Sequence, residues 1–397
     1  MRRLLITFIT LLALIGIGVA VYFYFFANQA SVVVAPTNTS LPTAGQTVFP
    51  LEPANLATTT DKTTLVAARL IQISTGPVVP GEAVVAIPAA NASSSLEIAV
   101  NYIERQSGNV FSYQTRTGTL IRTNNKTVPG IQSAEWLPDA SFAFVQYLSG
   151  TDFSTINTYA LPASSNNTGG FFLPQNLTDV AVSSTSVLML ASGVNGSAAS
   201  VAHTDGTHVS EAFTTPLSSL RVSFAGKNYL AFTKPSATLA GNAFIVTKGH
   251  FSRIAGPLYG LMALSSPSGK WVVVSYTQDT AIQMELVNTE TNEAIQLPVA
   301  TIADKCVWAA DDSAFYCGIP VSPASGYAYP DDWYQGAVHF SDRIWKIDVV
   351  DRQAQLVLDF PKETKGSLDA IALAIDPLAT TLAFINKNDG SLWSYSL

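Results

Sequence analysis

The chain has 397 residues, of which 12% are charged, and its formal net charge is -7. This length allows two or three ordinary domains or one large all-β domain, and the abundance of Ser, Thr, Asn, Val and Ala favours strands and turns over helices. The acidic balance leaves no basic stripe for phosphates, so we expect no nucleic acid partner.

An uncharged apolar run begins near the N-terminus. Arg2 and Arg3 precede a stretch from Leu4 to Ala27 that is dominated by Leu, Ile, Val and Phe. About 24 helical residues rise about 36 Å, which is enough for the ~30 Å hydrocarbon core of a bilayer. We therefore expect residues 1–28 to form a short cytoplasmic stub and one transmembrane signal-anchor helix. A cleaved signal peptide is the alternative, although its apolar region would be shorter.

This anchor fixes the expected location of the rest of the chain. By the positive-inside rule the two arginines stay in the cytoplasm, so the protein is expected in the cell membrane with its C-terminal domain extracytoplasmic. The lipid bilayer is then a partner of the N-terminal helix.

Residues 29–64 predict a flexible extracytoplasmic linker. The stretch is rich in Thr, Ala, Pro and Asn, and no charged residue lies between Arg3 and Glu52. Such a composition offers little periodic apolar surface to bury, and its prolines oppose regular structure. An extended strap lying on the following domain is the alternative for the later half.

A repeated strand pair organises residues 65–397. Each copy has an apolar strand, a short polar turn and a second strand. The second strands begin at Leu96, Phe142, Val187, Tyr229, Trp271, Phe315 and Leu382. Their spacing, 42 to 46 residues with one interval of 67, fits units of four short strands. We therefore predict an all-β fold, a seven-bladed β-propeller, whereas the alternative β-sandwich would not repeat a hairpin at a fixed period.

The two ends of the repeat region complement each other. In this register, residues 390–397 supply only the third strand of the last unit, and residues 68–74 form a β-like segment that belongs to no unit. Pairing the two segments would close the ring and cover an exposed strand edge.

Two histidines flank a predicted two-residue turn. His203 and His208 stand on either side of an Asp-Gly pair, which would place their imidazoles opposite each other on adjacent strands. They are weak candidates for a metal site, because zinc sites take three or four protein ligands and no third is evident. A plain cross-strand surface pair is the alternative.

The two cysteines of the chain lie on the two strands of one predicted hairpin. A turn centred between Asp311 and Asp312 sets Cys306 opposite Cys317, which predicts a disulfide. An extracytoplasmic location makes this oxidation reasonable, and two reduced core thiols are the alternative.

The interval of 67 residues contains an insertion from Ile319 to Asp342, between the second and third strands of the sixth unit. Loops longer than about 12 to 15 residues inside compact domains are usually functional or disordered. The candidate ligand-binding residues of the insertion are aromatic or polar: Tyr329, Asp331, Asp332, Trp333, Tyr334 and Gln335. A solvent-exposed Trp333–Tyr334 pair would anchor an interface. The alternative is that both rings plug the mouth of the channel.

Several motifs resemble known families. The turns at 137–140 and 266–270 and the segment 388–393 look like the WSPDG-type hairpins of periplasmic Tol-system and dipeptidyl-peptidase propellers. More narrowly, residues 305–308 and 329–336 resemble an uncharacterised family of single-pass bacterial surface propellers. The resemblance implies a WD-like propeller fold and membrane anchoring. It implies no peptidase activity, because no hydrolase domain accompanies it.

Catalytic signatures are missing from the sequence. There is no P-loop, no G-x-S-x-G after a strand and no H-E-x-x-H, so we predict no catalytic residue and no cofactor. The expected function is a binding or scaffold module at the cell surface, with a protein or a surface polymer as its ligand. The alternative is a hydrolase or lyase acting on a surface glycan or peptide, which would need paired carboxylates or a metal over the channel.

Overall fold

The computed structural model describes residues 69–88, 96–166, 169–364 and 366–397. The predicted transmembrane helix and linker lie outside the described residues. None of the helical turns within these ranges could span a bilayer. These ranges contain 27 strands and only three single helical turns, so the prediction of an all-β fold is confirmed.

The first three sheets are each built from four consecutive antiparallel strands. Sheet I contains β2 (Ala83–Pro88), β3 (Leu96–Ile103), β4 (Val110–Gln114) and β5 (Thr119–Asn124). Sheet II contains β6 (Ile131–Trp136), β7 (Phe142–Ser149), β8 (Thr155–Pro162) and β9 (Phe171–Phe172). Sheet III contains β10 (Asp179–Val182), β11 (Ser186–Gly193), β12 (Gly196–His203) and β13 (Ser210–Thr215).

Sheet IV is larger and has seven strands in chain order. It contains β14 (Leu220–Ala225), β15 (Asn228–Thr233), β16 (Ala240–Thr247), β17 (His250–Ser265), β18 (Trp271–Gln278), β19 (Ala281–Asn288) and β20 (Ala294–Gln296). The first part of β17 pairs with β16, and its last part pairs with β18. One long strand therefore belongs to two neighbouring sets of strands.

Sheets V and VI complete the described part of the chain. Sheet V contains β21 (Cys306–Trp308), β22 (Ala314–Pro320), β23 (Asp342–Asp348) and β24 (Ala354–Leu358). Sheet VI has the order β1 (Leu70–Gln72), β27 (Leu392–Ser396), β26 (Thr381–Asn386) and β25 (Ala370–Ile375). The three helical turns are a 3-10 turn at Ala303–Lys305, α1 (Asp331–Tyr334) and α2 (Phe360–Glu363).

Sheet VI joins the two ends of the described chain. Leu70 pairs with Tyr395 and Gln72 pairs with Trp393, so β1 covers the edge that β27 would otherwise expose. Arg69 adds a side-chain hydrogen bond to the carbonyl of Ser396, with an Nε to O distance of 3.1 Å. This is the pairing that closes a ring of sheets.

In sheets V and VI the second strands, counted from β21 and from β25, contain only buried residues, because neighbouring sheets pack on both of their faces. These strands are β22 and β26. One apolar cluster joins Leu188 of β11 to Ala231 of β15, and another joins Val85 of β2 to Val145 of β7. Face-to-face packing of sheets therefore explains why these strands are apolar without alternation.

The first strands of neighbouring sheets contact one another, and in sheet VI the strand at this position is β25. β6 touches β10, β10 touches β14, β21 touches β25, and β25 touches β2. These strands consequently surround a common space, and their side chains decide what that space can hold.

A disulfide links the first two strands of sheet V. Cys306 of β21 faces Cys317 of β22 in the strand register, and their sulfurs are bonded. Both cysteines are buried. The bond fixes β21 directly beside the space that the first strands surround.

Candidate functional site

A cavity of about 640 Å³ lies among the first strands, and it is called the central cavity below. Its wall is formed by residues 80–85 before and in β2, 133–138 in and after β6, and 371–377 in and after β25. Parts of β21 and single charged side chains from other elements complete it. The volume lies in the range of sites for small molecules or for the end of a larger ligand.

The insertion between β22 and β23 contributes two rings to this wall, Trp333 and Tyr334 of α1. Trp333 is only 3% exposed, and its indole Nε1 donates to the Oδ2 of Asp369 at 3.0 Å. Lys387 donates to the carbonyl of Trp333 at 2.7 Å. The expectation of a solvent-exposed Trp-Tyr pair is therefore wrong for Trp333, because packing and hydrogen bonds hold this ring inside the protein. The alternative, a ring that helps to close the channel, fits its burial.

Other predicted residues of the insertion shape the loop itself. Tyr329 is 3% exposed, and its hydroxyl donates to the carbonyl of Ala324 at 2.7 Å. The carboxylate of Asp331 accepts the backbone N–H of Ala237 at 3.1 Å, which ties the loop to sheet IV. Within the loop, the carboxylate of Asp332 accepts the N–H of residue 328 at 2.7 Å.

Two further residues concern the surface of the insertion and its packing on sheet IV. Gln335 is exposed just after α1, so its role in binding stays a prediction. Gly260 lies under the loop with a φ of +62°, and an added Cβ would lie 2.9 Å from the Cδ of Pro330 and 2.8 Å from the Oγ1 of Thr277. The loop therefore docks closely on β17, where only glycine leaves it room.

A fully buried ion cluster lies next to Trp333. The Nζ of Lys305 lies 2.8 Å from the Oδ2 of Asp342 and also contacts Asp369, and all three side chains are 0% exposed. The same Nζ lies 5.0 Å from the centre of the Trp333 ring. Burial raises the pKa of Asp342 to about 6, although Lys305 opposes this shift.

A second charged cluster lies at the cavity wall around Arg221 of β14. Its guanidinium lies 3.2 Å from the Oδ2 of Asp304 and 3.8 Å from the Oδ2 of Asp179. The hydroxyl of Tyr334 donates to Asp304 at 2.5 Å. The surrounding protein, followed by Asp304, raises the pKa of Tyr334 well above its usual range, so the hydroxyl remains a donor.

Glu135 of β6 lies next to this cluster and is open to the interior of the central cavity. Protein surrounds the cavity, and this enclosure raises the pKa of Glu135 to about 7. Asp179 adds to the rise, Arg221 opposes it, and Asp304 adds to it again. Because Glu135 is exposed within the cavity, a ligand can reach its carboxyl, and a pKa near neutrality suits acid–base chemistry.

Glu82 is the most unusual group of the wall. Its side chain is 7% exposed, and neither carboxyl oxygen has a hydrogen-bond partner among the described residues. Burial alone raises its pKa well above the usual range. The backbone beside it is fixed, because the N–H of Ala134 donates to the carbonyl of Pro80 at 2.9 Å and the indole of Trp136 donates to the carbonyl of Gly81 at 3.0 Å. Both carboxyl oxygens are closed off from the cavity as well as from solvent, so the protein favours the protonated, uncharged form of this group.

Replacing Glu82 with glutamine is expected to change how stability depends on pH. The unfolded chain ionises this carboxyl above about pH 4.3, whereas the folded chain keeps it protonated. Because the folded state then binds more protons, the wild-type protein loses stability as pH rises, by at most about 1.4 kcal/mol per pH unit. The Glu82→Gln variant lacks this loss, so its advantage in denaturant unfolding should grow between about pH 5 and pH 8. The exposed control Glu290→Gln should follow the wild-type curve, and an equal pH slope in Glu82→Gln would contradict the burial of an unpaired carboxyl.

The histidine pair is placed away from this site. The rings of His203 and His208 stack with centres 4.5 Å apart on an exposed turn, and the Nδ1 of His208 lies 2.8 Å from the Oγ1 of Thr207. In the part of the chain that the structure describes, no group of three or more His, Cys, Asp or Glu side chains could hold a metal ion. The pair therefore has the geometry of a cross-strand surface contact.

The charged residues of the cavity wall were not singled out from the sequence. Four of them occupy the first strands of the repeat, or the residues just before them: Glu82, Glu135, Arg221 and Asp304. The sequence offers one signal for these residues, a charged side chain that recurs in the first strand of successive units. This signal becomes visible only when the units are aligned with one another, because a search for contiguous motifs does not detect it.

Solved structures with a similar fold include three enzymes of low sequence identity. An oligogalacturonate lyase from Vibrio parahaemolyticus is 8% identical, with a TM-score of 0.56 over 82% of this chain and 93% of its own. An oligogalacturonate lyase in complex with manganese is 9% identical, with a TM-score of 0.52 over 76% and 86% of the two chains. The hydrazine synthase of Kuenenia stuttgartiensis is 12% identical, with a TM-score of 0.51 over 82% and 99%.

No family model and no curated protein matches the sequence. At such low identities the structural likeness concerns the fold alone. The solved neighbours are β-propellers, and the predicted propeller fold is confirmed at that level.

Proposed function

We propose that this chain is a membrane-anchored extracytoplasmic binding protein whose propeller receives its ligand in the central cavity. The observation that carries the proposal is the cavity of about 640 Å³, whose wall brings together charged side chains from three separate elements, Glu135, Arg221 and Asp304. Ligand sites are concave and largely apolar, with a few polar groups that converge on the ligand.

The propeller is proposed to have seven blades. Five sheets have four strands each, and sheet IV divides at β17 into two sets of four that share this strand. Counted in this way, each blade corresponds to one of the hairpin copies in the sequence. A ring of this kind supports a binding role because its axis offers a cavity while its outer strands supply stability.

The anchor and the location are proposed from the N-terminal sequence. The uncharged run from Leu4 to Ala27 after two arginines supports a single membrane span with the propeller outside the cytoplasm. A protein or a surface polymer is then a suitable ligand, since a chain end or a projecting side group can enter a cavity of this size. Protease added to intact cells should remove the propeller, and its full protection would contradict the proposed topology.

The cavity itself can be tested with a fragment library of neutral, anionic and cationic compounds. Ligand-observed NMR on the purified full-length chain should detect binders that are lost in Ala310→Trp, because Ala310 lies at the wall and is exposed there. The matched control is Ala281→Trp, which adds the same ring at an exposed turn outside the cavity. Fragments that bind all three proteins equally, or no binder from any class, would contradict ligand binding in the cavity.

A hydrolase or lyase remains the second candidate because of one observation, the pKa of about 7 at Glu135. A carboxyl in this range can act as a general acid or base, and Asp179 and Asp304 lie close enough to shift it. Turnover of a glycan or peptide that disappears in Glu135→Gln, with unchanged ligand affinity, would favour this candidate over the binding protein.

A further inference from the structure

We infer that the central cavity binds an organic anion, a ligand that carries one carboxylate on an apolar body, with Lys387 as its ionic partner. The inference rests on the proposed binding function of the cavity and adds to it the chemical class of the ligand. Three features of the wall support it: the state of its two cations, the positions of its acidic groups and the apolar side chains that complete it.

Lys387 is a cation of the wall that has no carboxylate partner. Among the described residues its Nζ forms no ion pair, and it donates one hydrogen bond, to the carbonyl of Trp333 at 2.7 Å. An ammonium has three N–H donors, so two of them have no partner in the described part of the protein. A carboxylate can accept both, and a hydrogen bond between two ionised groups is about twice as strong as a neutral one.

The other cation of the wall, Arg221, is already engaged. Its guanidinium lies 3.2 Å from the Oδ2 of Asp304 and 3.8 Å from the Oδ2 of Asp179. Two carboxylates around one guanidinium leave no positive charge there for a ligand. An anion is therefore expected at Lys387 and not at Arg221.

Asp369 is the carboxylate nearest to Lys387 in its electrostatic effect, but its own contacts keep it inside the protein. It is 0% exposed, contacts the Nζ of Lys305, and accepts the indole N–H of Trp333 at 3.0 Å and the N–H of Phe340 at 2.9 Å. Burial lowers the pKa of Lys387, Asp369 opposes this shift, and Lys305 adds to it. A carboxylate placed in the cavity would act as Asp369 does and stabilise the ammonium from the open side.

The acidic groups that face the cavity lie away from Lys387. Glu135 and Asp304 belong to the charged cluster beside β14, and neither is among the groups that shift the pKa of Lys387. Glu82 is held in its uncharged form by burial. None of these three groups therefore gives Lys387 a countercharge or directly opposes an anion beside it.

Asp376 is separated from Lys387 by the length of β25. The backbone N–H of Lys387 donates to the carbonyl of Asp369, just before this strand, at 2.7 Å, whereas Asp376 follows the strand. The strand has 6 residues, which span about 20 Å. Asp376 is 0% exposed and accepts the N–H of Thr380 at 2.7 Å, so its charge is satisfied within its own turn.

The remaining wall suits an apolar body with a single charge. Val307 of β21 and Ile371 and Ile375 of β25 line the cavity and are only half-buried, and the ring of Tyr334 is 41% exposed. These surfaces gain free energy when an apolar group removes them from water. One cation without a countercharge matches one negative charge, which favours a carboxylate over a phosphate that carries nearly two.

Calorimetric titration of the purified full-length chain at about pH 7 can test the inference with matched probes. Benzoate, benzyl alcohol, benzylamine and phenyl phosphate share one ring and differ in the charge of the attached group. We expect benzoate to bind about tenfold tighter than benzyl alcohol, and tighter than the amine and the phosphate.

Variants of Lys387 connect this preference to the proposed partner. Lys387→Gln keeps an N–H donor but loses the charge, so it should lower the affinity for benzoate about tenfold and leave that for benzyl alcohol unchanged. Lys387→Arg keeps the charge and should retain the preference for benzoate. The control Lys227→Gln, at an exposed turn outside the cavity, should change neither affinity.

The contrary outcomes separate the inference from the proposed function. Equal affinities for benzoate and benzyl alcohol, tighter binding of benzylamine or phenyl phosphate, or benzoate binding that is unchanged in Lys387→Gln would overturn the carboxylate ligand. Benzyl alcohol or benzylamine that binds wild type more tightly than benzoate does, but not Ala310→Trp, would overturn it while leaving the cavity as a binding site. Failure of every probe to bind would remove both.

Discussion

Replacing Lys305 with methionine is expected to lower the free energy of unfolding by about 3–5 kcal/mol. The ammonium of Lys305 lies between Asp342 and Asp369, and all three side chains are 0% exposed. Its removal leaves two carboxylates inside the protein without a countercharge, and such charges are costly in a medium of low polarity. Urea denaturation of the wild type and the variant at one pH measures the effect.

The effect should depend on pH in a defined direction. Burial already raises the pKa of Asp342 to about 6, and without Lys305 this carboxyl should stay protonated to still higher pH. Protonation relieves the unpaired charge, so the variant should lose less stability near pH 5 than near pH 8. Lys227→Met, at an exposed turn, is the control and should stay within about 0.5 kcal/mol of wild type. A Lys305 variant as stable as this control would show that the buried ion cluster does not hold sheets V and VI together.

Truncating Trp333 to alanine is expected to cost about 3–5 kcal/mol of stability. The ring stacks on Phe340 with ring centres 5.9 Å apart, and its N–H satisfies one oxygen of Asp369. Its loss would leave a void beside the ion cluster, and the Oδ2 of Asp369 would keep only the N–H of Phe340, at 2.9 Å, as a donor. Denaturant unfolding measures the change, and the same samples can be titrated with cavity ligands at low denaturant.

Two variants serve as comparisons for Trp333→Ala. Phe153→Ala removes a ring that is 68% exposed and should change stability by less than about 0.5 kcal/mol. Tyr334→Phe keeps the ring and removes the hydroxyl that donates to Asp304, which should cost about 1 kcal/mol. If Trp333→Ala unfolds like wild type but no longer binds ligand, Trp333 is a recognition anchor and its packing role is wrong.

The fold was predictable because the repeat consists of a recurring pattern of apolar strands and polar turns. Apolar second strands such as Val187–Leu190 and Leu382–Ile385 recur with short polar turns before them, and each forms the buried second strand of a sheet. The boundary between two predicted units was less visible at β17, where His250–Ser265 runs on without a break. Gly256, Pro257 and Gly260 lie at that boundary, but the strand bends there and changes partners instead of ending.

The site was harder to predict than the fold, for a physical reason. Ligand-binding potential was assigned to the aromatic insertion, because Trp and Tyr in a long loop are typical of interfaces. Whether such a ring is exposed depends on partners distant in sequence, and Trp333 is covered by Lys305, Asp369 and Lys387. Glu82 looks ordinary in the sequence, and only the ring of strands around it makes its carboxyl a buried and unsatisfied group.

The pairing of β1 with β27 has a consequence for the order in which this protein folds. Arg69 and Ser396, which are hydrogen-bonded across that pair, are separated by 327 positions in the chain. Contacts so far apart carry a large loop-closure entropy, and folds dominated by them form slowly. During synthesis the earlier sheets can form one after another from local hairpins, but β1 has no partner until β27 has left the ribosome. The ring, and with it the wall of the cavity, is therefore completed only after residues 392–396 have been made.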